Sequence, residues 1–217
     1  MLLLCVLALA LLPGCAPKLR RMTPVTAADS KMYYKDEQTG LEFTEMNLSF
    51  GPVTLKDPYA ELKLKSETIT MYEIEGLDPG KWLATGDGVV LREKSIEEIR
   101  PSDLHLTRVD VYVSNGSSIV IERITDPDAL AGLKYGGTSN ETFDLPLETP
   151  VETYLLRAVS EEYPSLYYSV KFLIYGQPVE AYTDETVSSG RYVIYDTYAK
   201  TCWWATEELQ IMIEGTD

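Results

Sequence analysis

The feature that most constrains this chain is short apolar–polar alternation, cut at close intervals by turn chemistry. Residues 67–75 (ETITMYEIE) put Ile69 and Met71 on one face and Thr68, Thr70, Tyr72 and Ile74 on the other. A period of two is the signature of a β-strand, and apolar atoms on both faces make it a central one. Leu77-Asp78-Pro79-Gly80 then turns, because Pro presets φ and Gly supplies a positive φ. Trp82-Leu83-Ala84 and Val89-Val90-Leu91 follow as strands, separated by Gly86-Asp87-Gly88.

The clearest hairpin runs over residues 106–124. Val109, Val111 and Val113 share one face, Ser114-Asn115-Gly116 turns, and residues 119–124 return. A two-residue loop would set Val111 against Val120 and Val109 against Glu122. A three-residue loop sets Val111 against Ile119 and Val109 against Ile121. The second parity makes one continuous apolar face, so it is the expected register, with Asp110 and Glu122 on a solvated outer face.

Further strands are expected at 154–159, 166–175, 179–183, 191–198 and 209–213, with Gln177-Pro178 and Ser188-Ser189-Gly190 as turns. Helical signals are few. Asp126-Pro127-Asp128 reads as an N-cap, a proline in the first turn and a charge suited to the helix dipole. Ser95 with Glu98 forms a capping-box pattern that Pro101 limits to one or two turns. The expected fold class is therefore α+β, predominantly antiparallel β with one or two short helices. Residues 136–150 hold three Gly or Pro breaks and read as a long exposed connection.

The first fifteen residues, MLLLCVLALALLPGC, are of another kind. Residues 2–12 are apolar without a break, too short for a spanning helix but fitting the apolar core of an export signal. Leu12-Pro13-Gly14-Cys15 resembles the lipobox of bacterial lipoproteins. That resemblance implies cleavage before Cys15 and a lipid on Cys15. The alternative is a buried N-terminal element of a cytosolic protein. On the lipoprotein reading, 1–14 is a signal peptide and 15–40, with Pro17, Pro24 and a polar run, is a lipid-anchored tether. Residues 41–217 form the β-rich globular domain, with a division into two lobes allowed near 101–104. Residues 72–80 (YEIEGLDPG) and 161–168 (EEYPSLYY) loosely resemble segments of Firmicute extracytoplasmic lipoproteins. That likeness implies no activity.

Charge and composition narrow the function. Asp and Glu number 34 against 19 Lys and Arg, a net charge of −15. Such a surface repels phosphate backbones and anionic headgroups, so nucleic acid is not an expected partner and membrane contact falls to the lipid. A single histidine, His105, excludes the usual His-based zinc sites and disfavours a His-based triad. No phosphate loop or EF-hand pattern occurs. No catalytic, metal or cofactor residue is assigned. The acidic pairs Asp36-Glu37, Glu97-Glu98, Glu161-Glu162 and Asp184-Glu185 point to opposite faces of an extended chain and read as solvated edges. Once a signal is removed and Cys15 is acylated, Cys202 has no disulfide partner and reads as a small buried hydrophobe.

Nine of the fifteen tyrosines fall between Tyr154 and Tyr198. Rings with hydroxyl handles serve recognition, and they also pack across strands. Tyr167-Tyr168 and Trp203-Trp204 each send one ring to each face of a strand, so these four are the candidate ligand contacts. The expected function is a lipid-anchored extracytoplasmic binding or interaction domain whose partner is an envelope protein or glycan. A carboxylate-dependent envelope hydrolase and a purely structural envelope lipoprotein are the alternatives.

Overall fold

A computed structural model describes residues 19–26, 32–46, 53–97, 99–113, 119–134, 142–182 and 187–215. The signal and lipobox expectations lie outside these residues, as do Asp184-Glu185, Glu98 and the Ser114-Asn115-Gly116 turn. The fold is β-rich α+β, mostly antiparallel, with two short α-helices.

Seven strands close into a barrel: β1 (Arg20–Thr26), β2 (Met32–Asp36), β3 (Glu42–Glu45), β4 (Leu55–Lys63), β5 (Thr68–Ile74), β6 (Trp82–Thr85) and β7 (Val90–Glu93). Their order is β1-β2-β3-β7-β6-β5-β4, and closure comes from a parallel β1–β4 pairing, Arg20 with Ala60 and Met22 with Leu62. β5 is paired on both sides, as its two-faced pattern requires. Met22, Phe43, Leu62, Met71, Leu83 and Leu91 fill the interior.

The tether expectation is corrected here, because residues 20–26 and 32–36 are barrel strands. Pro24 is tolerated in β1 because the pairing to β4 ends at Met22, so the missing N–H costs no bond on that side. Arg20 and Arg21 find acidic partners on the next strand and turn, Asp36 and Glu37. Asp36 is corrected as well. It is buried, not solvated, and its carboxylate accepts from the Gln38 N–H at 2.8 Å, Arg20 at 3.1 Å and the Tyr59 hydroxyl at 3.3 Å.

The second half is an open six-stranded antiparallel sheet. It contains β8 (Leu106–Val113), β9 (Val120–Ile124), β10 (Glu152–Ser160), β11 (Tyr167–Tyr182), β12 (Val187–Asp196) and β13 (Thr201–Trp204). The order is β13-β12-β11-β10-β8-β9. Its inner face carries Val109, Val111, Leu156, Tyr168, Phe172 and Ile194 in one core with Ile74, Trp82 and Val90 of the barrel. The helices α1 (Pro127–Ala131) and α2 (Glu207–Glu214) add Leu130, Leu209 and Ile213 to that core. Asp126 caps α1 as expected, accepting from the backbone N–H groups of Asp128 and Ala129.

Several local expectations are corrected. Gln177-Pro178 does not turn the chain; β11 runs through it with a register shift between Ile174 and Val179, where a proline is accommodated. Ser188-Ser189-Gly190 lies inside β12, and Gly190 is there because a Cβ would meet the Trp204 ring at 2.9 Å. Residues 209–213 are helical. Thr206 caps α2 and Leu209 and Ile213, four apart, share its buried face. No helix forms over the described part of 95–100; Ser95 bonds back to Glu93, and a 3-10 turn occupies Pro101–Asp103.

Candidate functional site

The hairpin register carries the main finding. Val109 opposes Ile124, Asp110 opposes Arg123, Val111 opposes Glu122, and a bulge then sets Tyr112 against Val120. The expected Val111–Ile119 and Val109–Ile121 pairs do not form, and Ile119 and Ile121 are exposed at 71% and 40%. Opposite charges across the pair, worth up to about 1 kcal/mol, stand where an apolar match was expected.

Asp110 consequently sits at the centre of a cross-strand row on the outer face of the sheet. The row runs Arg123 on β9, Asp110 on β8, Arg157 on β10 and Ser169 on β11. One pleat away lie Tyr112, Leu155, Lys171 and Tyr195. One pleat the other way lie Arg108, Val159 and Tyr167.

Asp110, expected on a solvated face, is only 4% exposed. Arg108 Nε and Arg123 Nε stand 3.1 and 3.2 Å from its Oδ1. Both contacts are ion pairs by distance, but their angles leave Oδ1 and the Arg108 Nε without an aligned hydrogen bond. Arg157 Nε is likewise buried and unbonded, and its guanidinium lies 4.3 Å over the Tyr112 ring.

Two arginines thus pair with one carboxylate, and Arg157 and Lys171 follow on the next two strands of the same face. On the strand positions of this face Asp110 is the lone acid among the described residues. The face carries net positive charge on a chain of net charge −15. Guanidinium groups suit carboxylate and phosphate oxygens because their N–H forks match them two at a time. Stacking on Tyr112 holds Arg157, and pairing with Asp110 holds Arg108 and Arg123, before any ligand arrives, which reduces the entropy lost on binding.

The other half of the outer face is covered. Phe143 pairs with Cys202 through backbone bonds of 2.8 and 3.0 Å, and its ring lies 4.6 Å from Trp204. Leu173, Tyr175, Val179 and Val193 pack beneath. Burial pushes the Cys202 thiol up to about 12, which keeps it protonated and unreactive. A cleft of about 500 Å³ opens beside this cover, rimmed by Asp144, Glu148 and Glu180.

The four aromatic candidates do not form one site. Tyr168 is 1% exposed and donates its hydroxyl to Asp196 at 3.0 Å in the core. Trp203 is fully buried and donates Nε1 to the Gly132 carbonyl at 3.0 Å. Both are corrected to core residues, since each ring faces inward. Trp204 is half-buried over Gly190, with Nε1 on the Ser188 hydroxyl at 2.9 Å. Tyr167 is half-buried on the outer face beside the arginine row. Trp204 stands level with Leu173, six residues along β11, roughly 20 Å from Tyr167 at about 3.3 Å per residue.

The arginines escaped the sequence reading because they come from three strands. Only the Asp110–Arg123 match within the hairpin was locally visible, as an opposite-charge pair.

No family model matches the chain, and neither a curated protein nor a solved structure matches it.

Proposed function

We propose that this chain is an extracytoplasmic binding domain of the bacterial envelope, held by lipid at Cys15, that takes an anionic ligand on the arginine-lined face of its open sheet. The observation that carries this reading is the run of cations across one sheet face, Arg108 and Arg123 against the buried Asp110 and Arg157 and Lys171 on the next two strands. A stability role for one aspartate does not call for four cations on one face, and Arg123 is 64% exposed at its side chain. At physiological ionic strength the Debye length is about 8 Å, so a ligand seated there feels the arginines and little of the distant acids. The ligand chemistry is a carboxylate or phosphate group, and a polymer of such groups would use several arginines at once.

Two experiments test the reading. Intact mass of membrane-extracted protein, beside a Cys15→Ala variant, reads the anchor; an unmodified full-length mass in the soluble fraction removes the lipid. Titration with poly-L-glutamate and with polyphosphate reads the face. Binding by the wild type, reduced at least about tenfold in Arg123→Glu/Lys171→Glu with unchanged circular dichroism, supports it. No binding, or equal binding by the variant, removes it.

A further inference from the structure

We infer that the natural ligand is an extended polypeptide segment with alternating carboxylates, which adds as a strand alongside β9. This rests on the anion-binding reading above and says which kind of anion the face was built to take.

The argument starts from where the backbone is open. The barrel has no edge, because β1 pairs with both β2 and β4. The open sheet has two edges. On β13, Phe143 bridges Cys202 and takes up both its N–H and its carbonyl. On β9, no described segment pairs with the outward side. An uncovered edge strand offers a row of donors and acceptors for another chain. This edge is also apolar, with Ile119 and Ile121 among the exposed large hydrophobic residues.

The charges then fix what the added strand carries. Arg123 is the outermost member of the arginine row and lies on the edge strand itself. A residue directly opposite it on an added strand would have its Cβ about 5 Å away, within reach of a carboxylate–guanidinium pair. β9 pairing ends at Val109–Ile124, so no β9 partner stands opposite Arg108. Arg108 is one pleat along from Asp110, the partner of Arg123. Carboxylates two residues apart on the added strand share one face and repeat at about 6.7 Å. One of them faces Arg123 directly, and the next lies level with Arg108, two strand spacings or about 10 Å inboard, a gap that a glutamate and an arginine side chain span together. A compact anion would leave the edge open.

The test uses acetylated, amidated octapeptides on the intact protein. The first alternates Glu and Thr. The second holds the same residues with the glutamates in one block. The third is the alternating peptide with its threonine nitrogens methylated, which keeps the charge and removes backbone donors. Binding is read by fluorescence anisotropy, and amide exchange is read over residues 119–124. The expected result is that the alternating peptide binds at least about tenfold tighter than either control and slows exchange in β9. Arg123→Glu should abolish that preference. Equal binding of the three peptides overturns strand addition and leaves the anion site standing. Binding of polyphosphate with no peptide bound overturns the peptide and leaves the anion reading. Binding of none of these probes overturns both.

Discussion

The two sheets treat their edges in opposite ways. The barrel uses residues 20–26 and 32–36, which read as a tether, to close itself: β1 inserts between β2 and β4 and leaves no free edge. The second sheet stays open, covers one edge with Phe143 and, among the described residues, gives β9 no partner on its outer side beside the arginines. The closed half has the attributes of a scaffold, and the open half has those of a surface for contact. Substitutions in the first should cost stability, and those at the bare edge should cost binding with little stability change.

The largest stability effect is expected at the seam between the two. Trp203 fills the shared core from β13 and ties it to the end of α1 through the Gly132 carbonyl. Trp203→Ala should cost about 3–5 kcal/mol, read as a lowered urea midpoint. A cost below about 1 kcal/mol would mean that the halves are held together elsewhere.

The barrel's own weak point is Asp36. Burial by itself would raise this carboxyl. The N–H groups of Gln38 and Thr39 and the Arg20 guanidinium outweigh that, and the net shift is downward. Asp36→Asn should cost about 2–3 kcal/mol, less than a fully buried pair because Arg20 is 36% exposed. The pH dependence has a definite sign. A carboxyl lowered on folding stabilises above its unfolded value, about 3.9, and loses that stabilisation as pH falls through its lower folded value. The stability gap between wild type and Asp36→Asn should therefore be constant near neutrality and close below about pH 4. A gap that persists into strong acid would show that charge is not its origin.

Gly132→Ala probes the helix contact. A Cβ there would lie 2.6 Å from Thr206 Oγ1 and 3.2 Å from its Cβ, so the α2 cap must shift. A loss of about 1–3 kcal/mol is expected, seen as faster exchange in α2. An unchanged melting temperature would show that the cap has room to move.

How much of this was legible follows from how local each cause is. The β5 pattern, the 77–80 turn and the α1 cap are set within a few residues; the first and last stand as read, and the turn forms at Asp78–Lys81 without the positive φ expected of Gly80. α2 was ambiguous because Leu209, Ile211 and Ile213 alternate as a strand would, while Leu209 and Ile213 are also one helical turn apart. Thr206 at the cap and Glu207 and Glu208 in the first turn decide for helix. Barrel closure was invisible because it joins Arg20 to Ala60, and no local pattern announces a parallel pairing at that distance. The hairpin register was misjudged by weighing apolar parity above charge. Asp110 is compensated by Arg108 and Arg123 and covered from the other side by β10, whose Arg157 stands opposite it from a strand far along the chain.

The smallest stability effect should fall where the binding effect is largest. Arg123 is exposed and its pairing with Asp110 is one of two, since Arg108 remains at 3.1 Å. Arg123→Gln should therefore change the urea midpoint by the equivalent of less than about 1 kcal/mol, as exposed ion pairs do. The same substitution removes the outermost cation of the row and the one group on β9 able to hold a carboxylate beside the edge. Poly-L-glutamate affinity should fall several-fold or more while the fold stays intact. A large stability loss with unchanged affinity would reverse the contrast: the arginines would then be a device for burying Asp110, and the open sheet would be as much a scaffold as the barrel.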